Sequence, residues 1–184
     1  NTHLTIDRLH RENERLLLNI LPAPVAGRLK SGEASIADHF PAVSVLFADI
    51  VGFTTLSGGI PPQPLVEMLN DLFTRFDELA QGHQVEKIKT IGDCYMAVCG
   101  IPTPRADHAA VLAGMALEML SSVQAFNQDH GTTLEIRIGL NTGPIVIGHV
   151  TSQLKFEFTV VGDTVNLANR AQAAAPAMSV LATE

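Results

Sequence analysis

Gly92-Asp93 lies between two alternating runs, Val85 to Ile91 and Cys94 to Val98, and a two-residue Gly-Asp connection is a hairpin turn. Such a turn makes the two runs pair antiparallel, which argues against an alternating parallel sheet. Strict alternation places Val85, Lys87, Lys89 and Ile91 on one side of the first run, and Glu86, Ile88 and Thr90 on the other. Residues 43–50 read as a short apolar strand. Pro61 to Leu79 has helical spacing in Leu65, Met68, Leu69, Leu72, Phe73, Phe76 and Leu79. Ala106 to His130 reads as a long Ala-, Leu- and Met-rich helix closed by Gly131. Leu134 to Leu140, Ile145 to Ile147 and Phe156 to Val161 read as three strands joined by glycine-containing turns. A helix over Asp163 to Ala175 and a strand over Met178 to Ala182 follow. This order predicts an α+β fold, a ferredoxin-like βαββαβ sheet with helices on one face.

Ahead of that domain, residues 4–20 read as a polar helix with one apolar seam. Ile6, Leu9, Asn13, Leu16 and Ile20 follow heptad spacing, with Ile6, Asn13 and Ile20 at a positions and the leucines at d. β-branched a residues, Leu at d and one Asn at a favour a parallel two-stranded coiled coil. Pro22 and Pro24 interrupt the helix, Val25 to Lys30 resumes it briefly, and Ser31 to Ser35 reads as a linker. The expected organisation is therefore a coiled-coil linker over 1–35 and a domain over 36–184.

With 19 acidic and 12 basic residues the net charge is −7, which argues against a nucleic-acid-binding surface. No stretch approaches ~18 uncharged apolar residues, so no membrane contact is expected from this segment. The polar start does not read as a signal peptide, and a first residue that is not Met leaves room for an upstream membrane or sensor domain. Cys94 and Cys99 should point to opposite sheet faces, so no bridge forms between them and a reducing, cytoplasmic setting is expected.

Three segments carry the chemistry. Phe47-Ala48-Asp49-Ile50-Val51-Gly52-Phe53-Thr54 ends a strand in a carboxylate and turns at Gly52, the parts needed to hold a metal and the phosphates it carries. Glu86-Lys87-Ile88-Lys89-Thr90-Ile91-Gly92-Asp93 sets a second carboxylate at a hairpin tip. In Val161-Gly162-Asp163-Thr164-Val165-Asn166-Leu167-Ala168-Asn169-Arg170, Asn166 and Arg170 are four apart on one helix face, an amide and a guanidinium suited to a sugar and a phosphate. Singly, each segment reads as ordinary turn or surface chemistry.

Together and in order, the three resemble the catalytic domain of class III nucleotidyl cyclases. The resemblance implies an adenylyl cyclase that converts ATP to 3′,5′-cyclic AMP and pyrophosphate. It implies two Mg2+ or Mn2+ ions per site, held by Asp49, Asp93 and the Ile50 carbonyl. It assigns the triphosphate loop to Gly52, Phe53 and Thr54, the base contacts to Lys89 and Thr159, the ribose to Asn166 and the transition state to Arg170. In this family the site lies at a dimer interface, the metal ligands coming from one chain and the base, Asn and Arg contacts from its partner. A homodimer would hold two such sites. Guanylyl cyclases typically carry Glu where Lys89 stands, and a Lys–Thr pair resembles the subgroup that includes bicarbonate-responsive enzymes. The rival readings are a guanylyl cyclase and a catalytically silent dimerising or nucleotide-binding module. The family domain also runs on beyond a strand like Met178 to Leu181, which implies that its C-terminal part is missing from this segment. The N-terminal helix resembles the signalling helix that precedes many such domains.

Overall fold

Apolar periodicity sets the elements, and tertiary packing sets their ends. The computed structural model describes residues 2–33, 35–151 and 156–183. In chain order the elements are α1 (Thr2–Leu18), α2 (Ala23–Lys30), β1 (Ala37–Ile50), α3 (Phe53–Gly58), α4 (Pro62–Gly82), β2 (Glu86–Ile91), β3 (Cys94–Cys99), α5 (His108–His130), β4 (Ile136–Thr151), β5 (Phe156–Val161), α6 (Asp163–Ala174) and β6 (Ser179–Ala182). The chain divides into two compact units, Asn1–Asp38 with Val146–Val160, and His39–Ile145 with Val161–Glu184.

In the larger unit the strand order is β2-β3-β1-β4, with β6 pairing β4 in parallel. β1 and β2 both pair antiparallel with β3. The Gly92-Asp93 turn is as expected: Ile91 faces Cys94, and Gly92 has φ 60° at the first central position of the II′ type. One sheet face is the core. Leu46, Ala48, Ile50, Tyr95, Ala97, Ile136, Ile138 and Leu140 meet Leu72 and Phe76 of α4 and Leu112, Met115, Met119, Val123 and Phe126 of α5. Full burial of each such large side chain is worth about 1.5–3 kcal/mol. At 23 residues α5 is long and apolar enough to cross a membrane by length and composition, and its buried apolar residues belong to this core.

Three expectations need correcting. The segments 134–140 and 145–147 are one strand, β4, and its glycines are not turns. A Cβ on Gly139 would lie 2.0 Å from the Gln172 nitrogen, and one on Gly143 would lie 2.6 Å from Thr164 Oγ1. These glycines let α6 lie directly on the strand. They alternate with Ile138 and Leu140, so α6 sits on the sheet face opposite α4 and α5, and the helices are not confined to one face. Lastly, β2 is bulged at Ile88. Lys87 pairs with Ala97 and Lys89 with the adjacent Met96, so the two lysines face opposite sides of the sheet.

In the smaller unit Leu21, Val25, Ala26 and Ile36 are buried. Lys30 of α2 pairs with Glu14 of α1 at 2.6 Å, and Arg28 bridges Glu33 and Asp38. Ile6, Leu9 and Leu16 of α1 are exposed, as is Ile20 just beyond its end. The distal part of β4 and most of β5 complete this unit. The linker expected over 31–35 includes Ala34, which lies outside the described residues.

Candidate active site

Asp49 follows the buried run of β1 and points away from the core face that Ala48 and Ile50 occupy. The hairpin tip folds back onto the same place: the Ile50 N–H donates to Asp93 Oδ2 at 3.1 Å. Two carboxylates thus meet at the mouth of β1. Burial raises the Asp93 pKa; the Ile50 N–H opposes this, the Asp49 charge adds to it and Arg137 lowers it. The field reaches Cys94, whose thiol is pushed up to about 12, first by burial and then by Asp49 and Asp93. This is a place of excess negative charge with hard oxygen donors, the chemistry that Mg2+ and Mn2+ accept. Among the described residues no three His, Cys, Asp or Glu side chains converge, so two carboxylates are the side chains that the chain itself offers a cation here.

Arg137, which the sequence reading did not single out, ion-pairs with Asp49. Its Nε and Nη2 donate to the two carboxylate oxygens, each at 3.4 Å, and its Nη1 donates to the Ala173 carbonyl at 3.3 Å. Both lengths to Asp49 are at the long limit of a hydrogen bond, and a partly exposed pair of this kind contributes about 0–1 kcal/mol. Arg137 is therefore an easily displaced counter-ion. The signal that could have found it is an arginine alternating with Ile136 and Ile138 in a strand whose other face is core.

Lys89 is half-buried and, through its pairing with Met96 and that of Met96 with Phe47, shares the sheet face of Asp49. Gly52 has φ 66° and caps α3, where the first amides of Phe53 and Thr54 have no preceding helical turn to bond. Thr159 is half-buried in the smaller unit.

Asn166 and Arg170 are exposed on α6, whose opposite side is fixed to β4. Asn141 Nδ2 donates to the Thr164 carbonyl at 3.0 Å, and Thr164 Oγ1 donates to the Pro144 carbonyl at 2.7 Å. The Thr183 hydroxyl donates to Asn141 Oδ1, adding the segment after β6 to the same network. Among the described residues neither Asn166 nor Arg170 bonds to Asp49 or Asp93. Within the larger unit, then, the structure gathers Asp49, Ile50, Asp93 and Arg137 at one point and presents Asn166 and Arg170 outward.

Residues 36–184 match the family model described as the adenylate and guanylate cyclase catalytic domain. An adenylate cyclase of Mycobacterium bovis is 47% identical over 162 residues, covering 88% of this chain and 36% of that protein. The guanylate cyclase soluble subunit beta-2 of Rattus norvegicus is 39% identical over 171 residues, covering 92% of this chain and 25% of that protein. The chain thus spans about a third or less of the length of these curated relatives. Among solved structures, the catalytic core of a rhodopsin-guanylyl cyclase with converted specificity, in complex with ATPαS, is similar with a TM-score of 0.74 at 35% identity, covering 78% of each chain.

Proposed function

Because this chain belongs to the family of adenylate and guanylate cyclase catalytic domains, we propose that it closes ATP to 3′,5′-cyclic AMP with release of pyrophosphate. The observation that carries the reading is the meeting of Asp49 and Asp93 at the end of β1, on the sheet face that Lys89 shares. The reaction is an in-line attack of the ribose 3′ oxygen on the α-phosphorus. Asp49, Asp93 and the Ile50 carbonyl would hold two Mg2+ or Mn2+ ions, Arg137 giving up Asp49 as they enter. Ions bound there would lower the pKa of the attacking hydroxyl and neutralise the leaving group. The loop Gly52-Phe53-Thr54 cradles the triphosphate. Asn166 orients the ribose, and Arg170 meets the charge that develops on the α-phosphate.

Asn166 and Arg170 are exposed and, among the described residues, make no bond to Asp49 or Asp93, which supports a site completed by a second copy. A homodimer then carries two equivalent sites. The exposed seam of α1, with Asn13 at an a position, suits a parallel coiled coil within a helical linker over 1–35, leading into a catalytic domain over 36–184. The βαββαβ order of β1, α4, β2, β3, α5 and β4 with strand order β2-β3-β1-β4 supports the ferredoxin-like reading. ATP as substrate implies a cytoplasmic site.

Relatives of both substrate classes match the chain, so the choice of base rests on Lys89. An ammonium donates to adenine N1, which is an acceptor, and opposes the guanine N1–H. Thr159 offers a hydroxyl to the adenine 6-amino group. Turnover of ATP and GTP, with Mg2+ and with Mn2+, by the chain and by Lys89→Glu tests this. The unmodified chain should make cyclic AMP, and the variant should lose its preference for ATP. Cyclic GMP as the main product of the unmodified chain would assign the guanylyl reading instead.

A further inference from the structure

Lys87 and Lys89 are two residues apart, and a regular strand would put both on the same face. Counted back from the Gly92-Asp93 turn, Ile91, Thr90 and Lys89 pair in step with Cys94, Tyr95 and Met96. The register then slips at Ile88, and Lys87 pairs with Ala97. Without that slip Ile88 would face Ala97 and Lys87 would face Val98. That would set a second ammonium beside Lys89 on the face that meets the base.

The slip is fastened from the other side. Lys87 Nζ lies 2.9 Å from the Asp77 carboxylate on α4, and 5.2 Å from the centre of the Tyr95 ring. The Tyr95 hydroxyl donates to Asp77 Oδ1 at 2.8 Å. Tyr95 cannot shift, because it is fully buried, with Phe76 edge-on at 5.5 Å and Phe73 at 5.9 Å. Asp77 thus accepts one bond from each of two strands and holds Lys87 on the helix side. A bulge raises local twist and re-aims its neighbours, and Lys89 is the residue immediately after it.

We propose that Asp77 and Tyr95 are positioning residues for base selection: by clamping Lys87 they hold the bulge at Ile88, which sets how Lys89 meets the base and keeps Lys87 off that face. The inference rests on Lys89 as the base contact. Neither clamp residue touches substrate. Their influence passes through the backbone of β2, so it should move base preference and nucleotide affinity while sparing the chemical step.

The test is steady-state kinetics on the full chain with ATP and GTP, for Asp77→Asn, Tyr95→Phe, Lys89→Met and the Asp77→Asn/Lys89→Met double variant, alongside thermal midpoints. Tyr95→Phe removes only a hydroxyl and keeps the ring contacts, so it reports even where Asp77→Asn fails to fold. For both clamp variants we expect KM for ATP to rise about fivefold, kcat to stay within about twofold, and the ATP-to-GTP ratio of kcat/KM to fall several-fold. In the Lys89→Met background Asp77→Asn should not lower that ratio further. The proposal is overturned if Lys89→Met shifts the ratio while neither clamp variant does. It is equally overturned if kcat and thermal midpoint fall with the ratio intact, since that is a purely structural role. An unchanged ratio in Lys89→Met itself refutes the base contact, and the clamp proposal falls with it.

Discussion

The two faces of β4 show two different ways of holding a residue. On one face Ile136, Ile138 and Leu140 are held by volume, each no more than 7% exposed against α4 and α5. On the other, Arg137, Gly139, Asn141 and Gly143 leave space or offer charge, and α6 and Asp49 come to them. The core face tolerates no charge. The opposite face holds a helix in backbone contact and a carboxylate by a long, weak ion pair. Rigidity is concentrated under the helix that carries Asn166 and Arg170, and looseness at Asp49, where the proposed function would have a cation enter.

The most severe test of that contrast is Gly139→Ala. Its Cβ would overlap the backbone of α6 at Gln172 and Ala168, which cannot rotate away. A loss of at least about 3 kcal/mol is expected in urea unfolding, much more than an alanine costs at an exposed strand position. A loss under 1 kcal/mol would mean that α6 is free to lift.

Next in size is the division of labour between the helix and the carboxylates. Asp49→Ala and Arg170→Ala should each lower turnover by ~100-fold or more. Mixed in equal amounts, the two variants should recover about a quarter of full activity, since half the dimers are mixed and each keeps one intact site. No recovery would mean that one chain supplies the whole site.

Smaller still is the effect of Arg137→Met. With no divalent ion added, the thermal midpoint should fall by the equivalent of less than about 1 kcal/mol. Added Mn2+ should then stabilise the variant at lower concentration than the parent, because nothing competes for Asp49. An unchanged Mn2+ response would show that Arg137 is not the ion's competitor.

The smallest expected effect tests the faces themselves. Glu86 pairs with Val98, which puts it on the face of Lys89, and burial raises its pKa. A raised carboxyl pKa means that the folded state prefers the protonated form. Its contribution to stability is present below the ordinary glutamate range and is lost as pH rises through the raised value. Glu86→Gln should therefore match the parent at low pH and be slightly more stable at pH 7 by thermal midpoint. The reverse order would point to an ion pair for Glu86 in solution.

How much of this could be read from residues alone depends on how local each determinant is. The helical spacing of Leu72 and Phe76, the Gly131 cap and the Gly92-Asp93 turn are local, and each lies where the sequence puts it. The adjacency of Asp49 and Asp93 was legible as a pattern of motifs, because a strand end and a hairpin tip are both marked in sequence. The glycines of β4 were misread as turns. Gly139 and Gly143 are needed for what approaches them, and the approaching helix is encoded some twenty to thirty residues later. The bulge at Ile88 was invisible, since alternation is counted on one strand while register is decided by two. Arg137 was passed over because a lone strand arginine ordinarily means solvent.

Gly139 also bears on how such a domain ages. On the proposed function, a chain that drifts could lose Arg170 or Lys89, both at least partly open to solvent, and still fold into the same shape with nothing left to catalyse. It cannot lose Gly139 so cheaply, because α6 has no other seat. Extinct copies of this site should therefore keep their packing glycines long after their charged residues have gone, as a ruin keeps its foundations.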